Sequence, residues 1–289
     1  SSDLIREIKN HLNMSTSLHI FVVTTACNVG CVYCQANNGT RCSGLFMDKE
    51  TARRTVDIAL ESPTKSLTFE FQGGEPLLNF EIIKYIVEYS KEANKTHSIN
   101  YTVVSNLTLL TDEMITYFRE NNFGVSTSLD GHEFLHNKNR PYKDGGHTYR
   151  DVIKSIDRLR EAGIYVGAIQ TTTKESLKYP REIVDTYYNL GFNSIFIRPL
   201  TPLGKATKNW NEIGYSPDEF LDFYSEVLDA VIAINEKGVF FKEEHATILL
   251  KRIDGQFVNY MELRSPCGAG IGQLAYYPDG NIFTCDEGR

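Results

Sequence analysis

Several features that would assign a chain to a common class of protein are missing from this sequence. No apolar run approaches the roughly 20 residues that a membrane-spanning helix needs, and the first residues show no signal-peptide pattern. Basic residues are in the minority: 30 Lys and Arg stand against 37 Asp and Glu, which gives a net charge of −7. An acidic chain disfavours nucleic acid as the main partner. We therefore expect a protein with no membrane partner and no nucleic-acid partner.

Cysteine is also scarce, with six residues in a chain of 289. That number is too small for the disulfide framework of a small secreted protein. Because the thiols are clustered and no secretion signal is found, we expect a reducing, cytoplasmic compartment. Hydrophobic residues make up 41% of the chain, which is enough for a sizeable core in one large domain, or in one domain with an appendage.

From residue 18 onward, strand-like and helical patterns alternate along the chain. Strands are predicted at 18–25, 66–71, 99–104, 125–129, 164–172 and 194–199. Helices are predicted between them at 48–61, 80–93, 112–121, 149–162 and 180–190, and a sixth at 217. This order predicts a parallel sheet with right-handed crossovers. Six units are too few for a closed eight-fold barrel, so we expect an α/β fold, a partial (β/α)6 TIM-like barrel.

Four regions are expected along the chain. They are an N-terminal arm (1–17), the partial barrel (18–215), a helical bridge (216–262) and a C-terminal extension (263–289). The bridge opens with the capping box Ser216-Pro-Asp-Glu219 and continues in a second helix near 245–261. In the extension, Pro278-Asp-Gly280 predicts the turn of a β-hairpin. The stretch 201–216 contains proline and two glycines and is interpreted as a linker.

The most informative stretch is Cys27-Asn-Val-Gly-Cys31-Val-Tyr33-Cys34, which follows the first predicted strand. Its three thiols can bind three irons of a four-iron cluster and leave the fourth iron open to a ligand that is not protein. A structural zinc site usually combines two C-x2-C pairs, and this chain has no second pair. Two other interpretations stay open from the residues alone: three buried thiols, or a zinc site that a distant histidine completes.

Glycine-rich and polar segments follow the other predicted strands. They are Gly73-Gly74-Glu75-Pro76, Ser105-Asn106 and Ser128-Leu-Asp130-Gly131. Because the carboxyl ends of parallel strands meet at one rim, where such folds bind ligands, we expect these segments to lie beside the cysteine loop. The sequence alone assigns no role to four histidines, which are interpreted by default as surface or loop residues, namely His132, His136, His147 and His245.

Together, these motifs resemble those of the radical S-adenosylmethionine (radical SAM) enzymes. The resemblance implies that Cys27, Cys31 and Cys34 hold a [4Fe-4S] cluster whose open iron binds SAM. It also implies further cofactor-binding residues, which are Tyr33, Gly73, Gly74, Glu75, Ser105, Asn106, Ser128, Asp130, Arg140 and Leu200. The glycine segment would meet the methionine amino group, the Ser-Asn pair the ribose, and Tyr33 the adenine. The planar fork of Arg140 suits the SAM carboxylate, and Leu200 is assigned to the adenine pocket by its position after the sixth strand.

The tail is similar to a SPASM-type extension, the β-hairpin module that carries an auxiliary iron–sulfur cluster. Cys267, Gly280 and Cys285 match the first part of its pattern. Cys267 and Cys285 are therefore candidate ligands of a second cluster in the full-length protein, with two buried thiols as the alternative. Within the peptide-modifying branch, the resemblance is to maturases of the His-Xaa-Ser repeat peptide system, through His19, Thr24, Gln35 and the ending 285–289.

The resemblance implies a reaction as well. Reductive cleavage of SAM would give a 5′-deoxyadenosyl radical that abstracts hydrogen from a side chain of a ribosomal peptide, leaving a crosslink or an oxidised residue. The partners would be that peptide or protein substrate and an electron donor such as flavodoxin or ferredoxin. Two alternatives are kept: an anaerobic sulfatase-maturing enzyme that forms formylglycine, and, from another class, a zinc-binding interaction module.

Overall fold

A computed structural model of the chain describes residues 16–36, 44–256 and 267–286. Within them, nine strands form one sheet in the order β7-β6-β5-β4-β3-β2-β1-β8-β9. The strands are Leu18–Thr24 (β1), Ser66–Gly73 (β2), Ser98–Val104 (β3), Gly124–Ser128 (β4), Val166–Thr171 (β5), Ser194–Arg198 (β6), Lys242–Glu243 (β7), Gln273–Tyr276 (β8) and Ile282–Phe283 (β9). All neighbouring pairs are parallel except β8 and β9. Consecutive parallel strands with helical crossovers make this a partial barrel.

The crossovers and the bridge are helical. The helices are Lys49–Leu60 (α1), Phe80–Ala93 (α2), Asp112–Glu120 (α3), Glu133–Asn139 (α4), Tyr149–Glu161 (α5), Pro180–Asn189 (α6), Lys205–Ile213 (α7), Pro217–Asn235 (α8) and Glu244–Ile253 (α9). Short 3-10 turns lie at Pro76–Asn79 and Ser176–Lys178. Across the described ranges, we find no helix with the length and apolar character needed to span a bilayer.

The predicted fold class and the six predicted strand–helix units are confirmed. Local signals account for several helix starts. The predicted capping box is present, because Glu219 N donates to Ser216 Oγ at 3.2 Å while Ser216 N donates to Glu219 Oε2 at 2.7 Å. Thr111 caps α3 by accepting a hydrogen bond from Met114 N at 3.2 Å.

The structure corrects the sequence interpretation at two places. The stretch 201–216 is not a simple linker, because α7 occupies most of it. The predicted hairpin is present at residues 273–283, but its first strand also pairs in parallel with β1 and so joins the main sheet. The helical pattern of the N-terminal arm and the end of the second bridge helix, beyond residue 256, lie outside the described residues.

The strands separate an apolar face from a polar one, since successive side chains point to opposite sides. Phe21 of β1 packs on Phe69 of β2 with 4.9 Å between ring centroids, in the core that the helices cover. On the other face of β2, Glu70 and Gln72 line a cavity. The core is therefore between sheet and helices, and the inner face of the barrel is left for a ligand.

Candidate cofactor site

A cavity of about 550 Å³ opens at the carboxyl ends of the strands. It brings together most of the residues predicted to bind cofactors. These lining residues are Cys27, Cys31, Tyr33, Cys34, Gly73, Gly74, Ser105, Asn106, Ser128, Arg140 and Leu200. Glu75 and Asp130 are buried and stand outside the set of lining residues, as do Cys267 and Cys285. The convergence of loops from several strands on one rim agrees with the expectation from the strand order.

The cysteine loop, residues 27–34, is anchored from two sides. Val32 N donates to Asn139 O, at the end of α4, at 2.9 Å. On the opposite side, Lys205 N donates to Cys34 O at 3.0 Å. Because Lys205 begins α7, the helix that occupies the interpreted linker fixes the last cysteine of the loop.

Gly204 lets α7 approach the cysteine loop closely. Its φ is +56°, and a Cβ placed on it would lie 2.4 Å from Gln35 O and 2.5 Å from Cys34 O. Such separations are far below van der Waals contact, and L-residues rarely adopt that backbone conformation. Next along the helix, Asn209 Nδ2 donates to Val32 O at 2.7 Å. Helix α7 is therefore a brace for the candidate ligand loop.

The thiols lie in an environment that suits metal-bound thiolates. Burial raises the pKa of Cys27 to about 11 and that of Cys31 to about 12, so binding iron must release their protons. Three N–H groups point at the sulfurs: Val29 N and Asn106 Nδ2 at 3.4 and 3.9 Å from Cys27 Sγ, and Arg140 Nη1 at 3.7 Å from Cys31 Sγ. Such donors stabilise negative sulfur, so this set fits the ligands of an iron–sulfur cluster.

The arrangement of the thiols can be compared with a site for one zinc ion. In the part of the chain that the structure describes, no three His, Cys, Asp or Glu side chains converge closely enough to hold a single metal ion. Zinc gathers its ligands at about 2.0–2.3 Å around one centre. In a four-iron cluster, each of three thiolates can bind a different iron.

The Gly73-Gly74 pair lets the ends of β1 and β2 pass each other at close range. Gly74 N donates to Thr24 O at 2.8 Å. A Cβ on Gly73 would lie 2.5 Å from Thr24 O, and one on Gly74 would lie 2.2 Å from Ala26 O. Any side chain here would collide with backbone rather than with a movable side chain. These glycines therefore shape the rim itself, beyond any contact with a ligand.

Glu75 ties the loop after β2 to the loop after β3 from behind the cavity wall. Its Oε1 accepts from Leu77 N at 3.0 Å and from Ser105 Oγ at 2.7 Å, and its Oε2 accepts from Asn106 N at 2.8 Å. Burial raises the pKa of Glu75 to about 7, against the lowering effect of those hydrogen bonds. Glu75 therefore supports the two residues that were predicted to contact the ribose.

Asp130 holds two residues of the cavity wall. Arg140 Nε donates to Asp130 Oδ1 at 3.0 Å, and Tyr33 Oη donates to Asp130 Oδ2. The Asp130 side chain is 0% exposed and that of Arg140 is 12% exposed. The guanidinium also lies 5.1 Å from the centre of the Tyr33 ring. Buried pairs of this kind are rigid when every partner is satisfied, so Arg140 enters the cavity in a fixed orientation.

The interpretation of His136 as a surface or loop histidine is wrong. The residue is fully buried, and burial lowers its pKa to about 4. Its Nδ1 accepts a hydrogen bond from Asp130 N at 3.3 Å, and its Nε2 lies 3.2 Å from Thr148 Oγ1. Thr148 Oγ1 in turn donates to Arg140 O at 2.6 Å. A neutral imidazole therefore supports the Asp130–Arg140 pair.

The tail contributes to the cavity through residues that the cysteine pattern did not indicate. Gly268, Gly272, Gln273 and Asp286 line it, and Gln273 Nε2 donates to Asp286 Oδ1 at 3.3 Å. Cys267 is exposed and Cys285 is half-buried. That these two thiols bind an auxiliary cluster stays a prediction.

Two polar residues of the barrel interior were not predicted either. Glu70 and Gln72 of β2 line the cavity, and Gln72 Nε2 donates to Glu70 Oε1 at 2.7 Å. Burial raises the pKa of Glu70, and the nearby Asp286 carboxylate adds to this effect. The period-two alternation of the second strand contains the signal, because both residues fall on the face opposite Phe69 and Phe71.

Comparison with known proteins agrees with this geometry. The model of the Radical SAM superfamily matches residues 21–187, which is more than half of the chain. The chain belongs to the radical SAM superfamily. It is therefore an enzyme that uses SAM and a [4Fe-4S] cluster, and the thiols and N–H donors described above fit that cofactor pair.

The relatives include proteins whose names state a reaction and proteins described as uncharacterised. An uncharacterised protein of Methanocaldococcus jannaschii is 30% identical over 242 residues, covering 80% of this chain and 83% of that protein. The radical SAM cyclopropyl synthase TigE of Paramaledivibacter caminithermalis is 26% identical over 280 residues, covering 91% of this chain and 56% of the synthase. The chain thus spans little more than half the length of the synthase.

A solved structure shows the same fold. Native anSMEcpe with bound AdoMet and the Kp18Cys peptide superposes with a TM-score of 0.82 at 23% sequence identity, covering 94% of this chain and 74% of that one. At this identity, the similarity establishes the architecture. In sequence, the chain is also similar to a serine-type anaerobic sulfatase-maturating enzyme of Bacteroides thetaiotaomicron, at 24% identity over 293 residues, covering 92% of this chain and 68% of that enzyme.

Proposed function

We propose that this enzyme modifies a side chain of a ribosomal peptide or protein, leaving a crosslink or an oxidised residue. When bound, the reduced cluster and SAM supply a 5′-deoxyadenosyl radical that abstracts a hydrogen atom from the substrate. One observation carries the proposal: the cysteine loop, the segments predicted to bind SAM and a polar wall from strands and tail all line a single cavity.

We assign roles to the lining residues on their chemistry. Cys27, Cys31 and Cys34 would hold the cluster. Arg140 has five N–H donors, and its bonds to Asp130 and Cys31 use only two of them. The remaining donors suit the carboxylate of SAM, because a guanidinium bonds two carboxylate oxygens at once.

The adenine and the rest of SAM would be placed by two other features. Tyr33, Leu200 and Ala206 form a small buried cluster beside the cysteine loop, which offers an apolar surface to an aromatic base. The tight crossing at Gly73 and Gly74 leaves backbone rather than side chain on the rim, so a methionine amino group could reach carbonyl oxygens there. Ser128 also lines the cavity.

The polar part of the cavity lining supports a peptide substrate. Glu70, Gln72 and Asp286 offer hydrogen-bonding groups to whatever enters the cavity. The solved structure of similar fold holds a peptide together with AdoMet. Maturation of a sulfatase by oxidation of Cys or Ser to formylglycine remains the second candidate, because it uses the same radical and the same kind of peptide.

The reaction needs an electron from outside the chain, and a flavodoxin or ferredoxin is the proposed donor. An auxiliary cluster bound in part by Cys267 and Cys285 would offer a route for a second electron, and we keep it as a proposal. The compartment proposed is the cytosol, because exposed iron–sulfur chemistry and free thiols require reducing conditions.

The proposal is tested by anaerobic reconstitution with iron and sulfide, followed by addition of SAM and dithionite and chromatographic measurement of 5′-deoxyadenosine. We expect production by the wild-type chain and loss of it in Cys27→Ala. Cys42→Ala is the matched control, since it removes a thiol outside the motif and should leave production unchanged. Equal production by Cys27→Ala and the wild-type chain would refute the assigned ligand loop.

The substrate class is tested separately with peptides. Incubation with candidate precursor peptides and with sulfatase-derived Cys or Ser peptides, followed by mass spectrometry, distinguishes a crosslink from formylglycine. SAM cleavage without modification of any peptide tested would leave the SAM assignment standing and count against these substrates. A chain that binds zinc instead of iron and does not cleave SAM would contradict the proposed enzymatic activity.

A further inference from the structure

The sulfurs of Cys27 and Cys31 differ in the N–H donors that face them. Cys27 Sγ faces two neutral N–H groups, from Val29 N at 3.4 Å and Asn106 Nδ2 at 3.9 Å. Cys31 Sγ instead faces a charged donor, Arg140 Nη1, at 3.7 Å. A guanidinium is always protonated, so a full positive charge lies against one candidate cluster ligand.

The position of that charge is fixed by its surroundings. Asp130 binds Nε of Arg140 and also accepts from Tyr33 Oη. The backbone of Arg140 is held as well, because its N donates to His136 O at 2.8 Å and its O accepts from Thr148 Oγ1 at 2.6 Å. The arrangement has the form of a support for the guanidinium.

An iron–sulfur cluster responds to such a donor in a known direction. One-electron reduction adds negative charge to the cluster and its thiolates. A positive charge and an N–H···S bond stabilise the reduced form more than the oxidised form, and hydrogen bonds to sulfur are among the factors that set the potential. A group in this position therefore raises the reduction potential and makes the first electron easier to deliver.

We propose that Arg140, positioned by Asp130 and Tyr33, raises the reduction potential of the cluster through its bond to Cys31 Sγ. This inference rests on the proposed function only in taking Cys31 as a cluster ligand. The role is separate from binding SAM, because different N–H groups of the same guanidinium serve the thiolate and the SAM carboxylate.

The test is a potentiometric titration of the reconstituted chain without SAM. The absorbance and the electron paramagnetic resonance signal of the reduced cluster give the midpoint potential, with dithionite and redox mediators as reductant. We expect Arg140→Gln to shift the midpoint potential to a more negative value. At a fixed solution potential, the ratio of reduced to oxidised cluster should fall about tenfold or more, and a tenfold change corresponds to about 59 mV for one electron.

Lys143→Gln is the matched control. The charge of Lys143 also acts on the cysteine loop, since it lowers the pKa of Cys27. Its side chain is exposed, however, and its backbone N donates to Asn28 O in the loop. We expect less than about a twofold change in the ratio for this variant, since solvent screens an exposed charge. Equal shifts in both variants would overturn the proposal, as would an unchanged potential in an Arg140→Gln chain with full iron.

Loss of Arg140 leaves the Asp130 carboxylate buried without its ion pair, which can impair folding. If Arg140→Gln does not retain iron, Arg140→Lys is titrated instead, because a lysine keeps the charge but cannot bond to Asp130 and Cys31 in the planar fork geometry. A shift more negative than that of Lys143→Gln supports the proposal, and a smaller or equal shift overturns it. A wild-type chain that binds no iron would refute the proposed function, which is a different outcome.

Discussion

Gly204→Ala tests whether helix α7 braces the cysteine loop. At φ +56° and ψ −127°, a residue with a Cβ occupies a sparsely populated region, which costs about 1–3 kcal/mol. The Cβ would also lie 2.4 Å from Gln35 O, so helix and loop must separate. Overpacking of this kind costs about 1–3 kcal/mol. We expect a total loss of about 2–6 kcal/mol in the free energy of unfolding.

The separation should also affect the cofactor. When α7 moves away, the hydrogen bond from Lys205 N to Cys34 O is lost, and the last cysteine is no longer held in place. We expect Gly204→Ala to bind clearly less iron and sulfide per chain after reconstitution. Denaturant titration of the metal-free chain gives the stability, and elemental analysis of the reconstituted chain gives the iron.

Gly163→Ala is the control that separates backbone strain from collision. Gly163 has φ +77°, and a Cβ there meets nothing within 4 Å. The variant should lose only about 1–2 kcal/mol, the usual cost of a left-handed conformation, and should bind wild-type iron. If Gly204→Ala were no less stable than Gly163→Ala and held as much iron, the bracing role of α7 would be wrong.

Two further predictions concern buried carboxylates. Burial raises the pKa of Glu75 from 4.5 to about 7, so between those pH values the folded chain keeps a proton that the unfolded chain loses. The unfolding free energy of the wild type should therefore fall by roughly 3 kcal/mol relative to that of Glu75→Gln as pH rises from 4.5 to 7. Denaturant titrations in which the stability difference between the two proteins does not change with pH would contradict this prediction. The Glu243 carboxylate accepts hydrogen bonds from Ile197 N at 3.0 Å, from Ala246 N and from Tyr224 Oη. Glu243→Ala should therefore lower the free energy of unfolding by about 2–4 kcal/mol. An unchanged thermal midpoint would show that these bonds contribute little.

Local sequence signals account for most of the sheet and for the cysteine loop. The strand–helix alternation reflects apolar periodicity, and the order of parallel strands places every loop after a strand at one rim. The thiols and the glycine pair could therefore be placed together without coordinates, whereas Arg140 was assigned through the resemblance to radical SAM enzymes.

Features that depend on distant contacts could not be inferred in the same way. Strand β8 pairs with β1 across more than 250 residues, from Leu18 with Gln273 to Phe21 with Tyr276, and nothing local specifies that register. The position of Asp286 in the cavity follows from this pairing. Long-range pairings are set by the complementarity of two surfaces, which a single segment does not reveal.

For helix α7, the sequence contains a helical signal that other residues outweighed. Ala206, Trp210 and Ile213 follow helical spacing in the stretch interpreted as a linker, and they pack beside the cysteine loop, but the surrounding Pro and Gly residues favoured a loop. His136 has no periodic signal, because its burial depends on the turn that brings Asp130 and Thr148 together. Glu75 and Asp130 matched a cofactor motif, and the structure places both behind the wall, where they position the residues that line it.

The central claim is that the loop of Cys27, Cys31 and Cys34 presents a cluster to SAM inside this cavity. The most direct measurement is an anaerobic crystal structure of the reconstituted chain with SAM. The account predicts density for a cluster on these three sulfurs, with SAM on the remaining iron and its carboxylate next to Arg140. A cluster bound elsewhere, or SAM bound away from the open iron, would contradict the account.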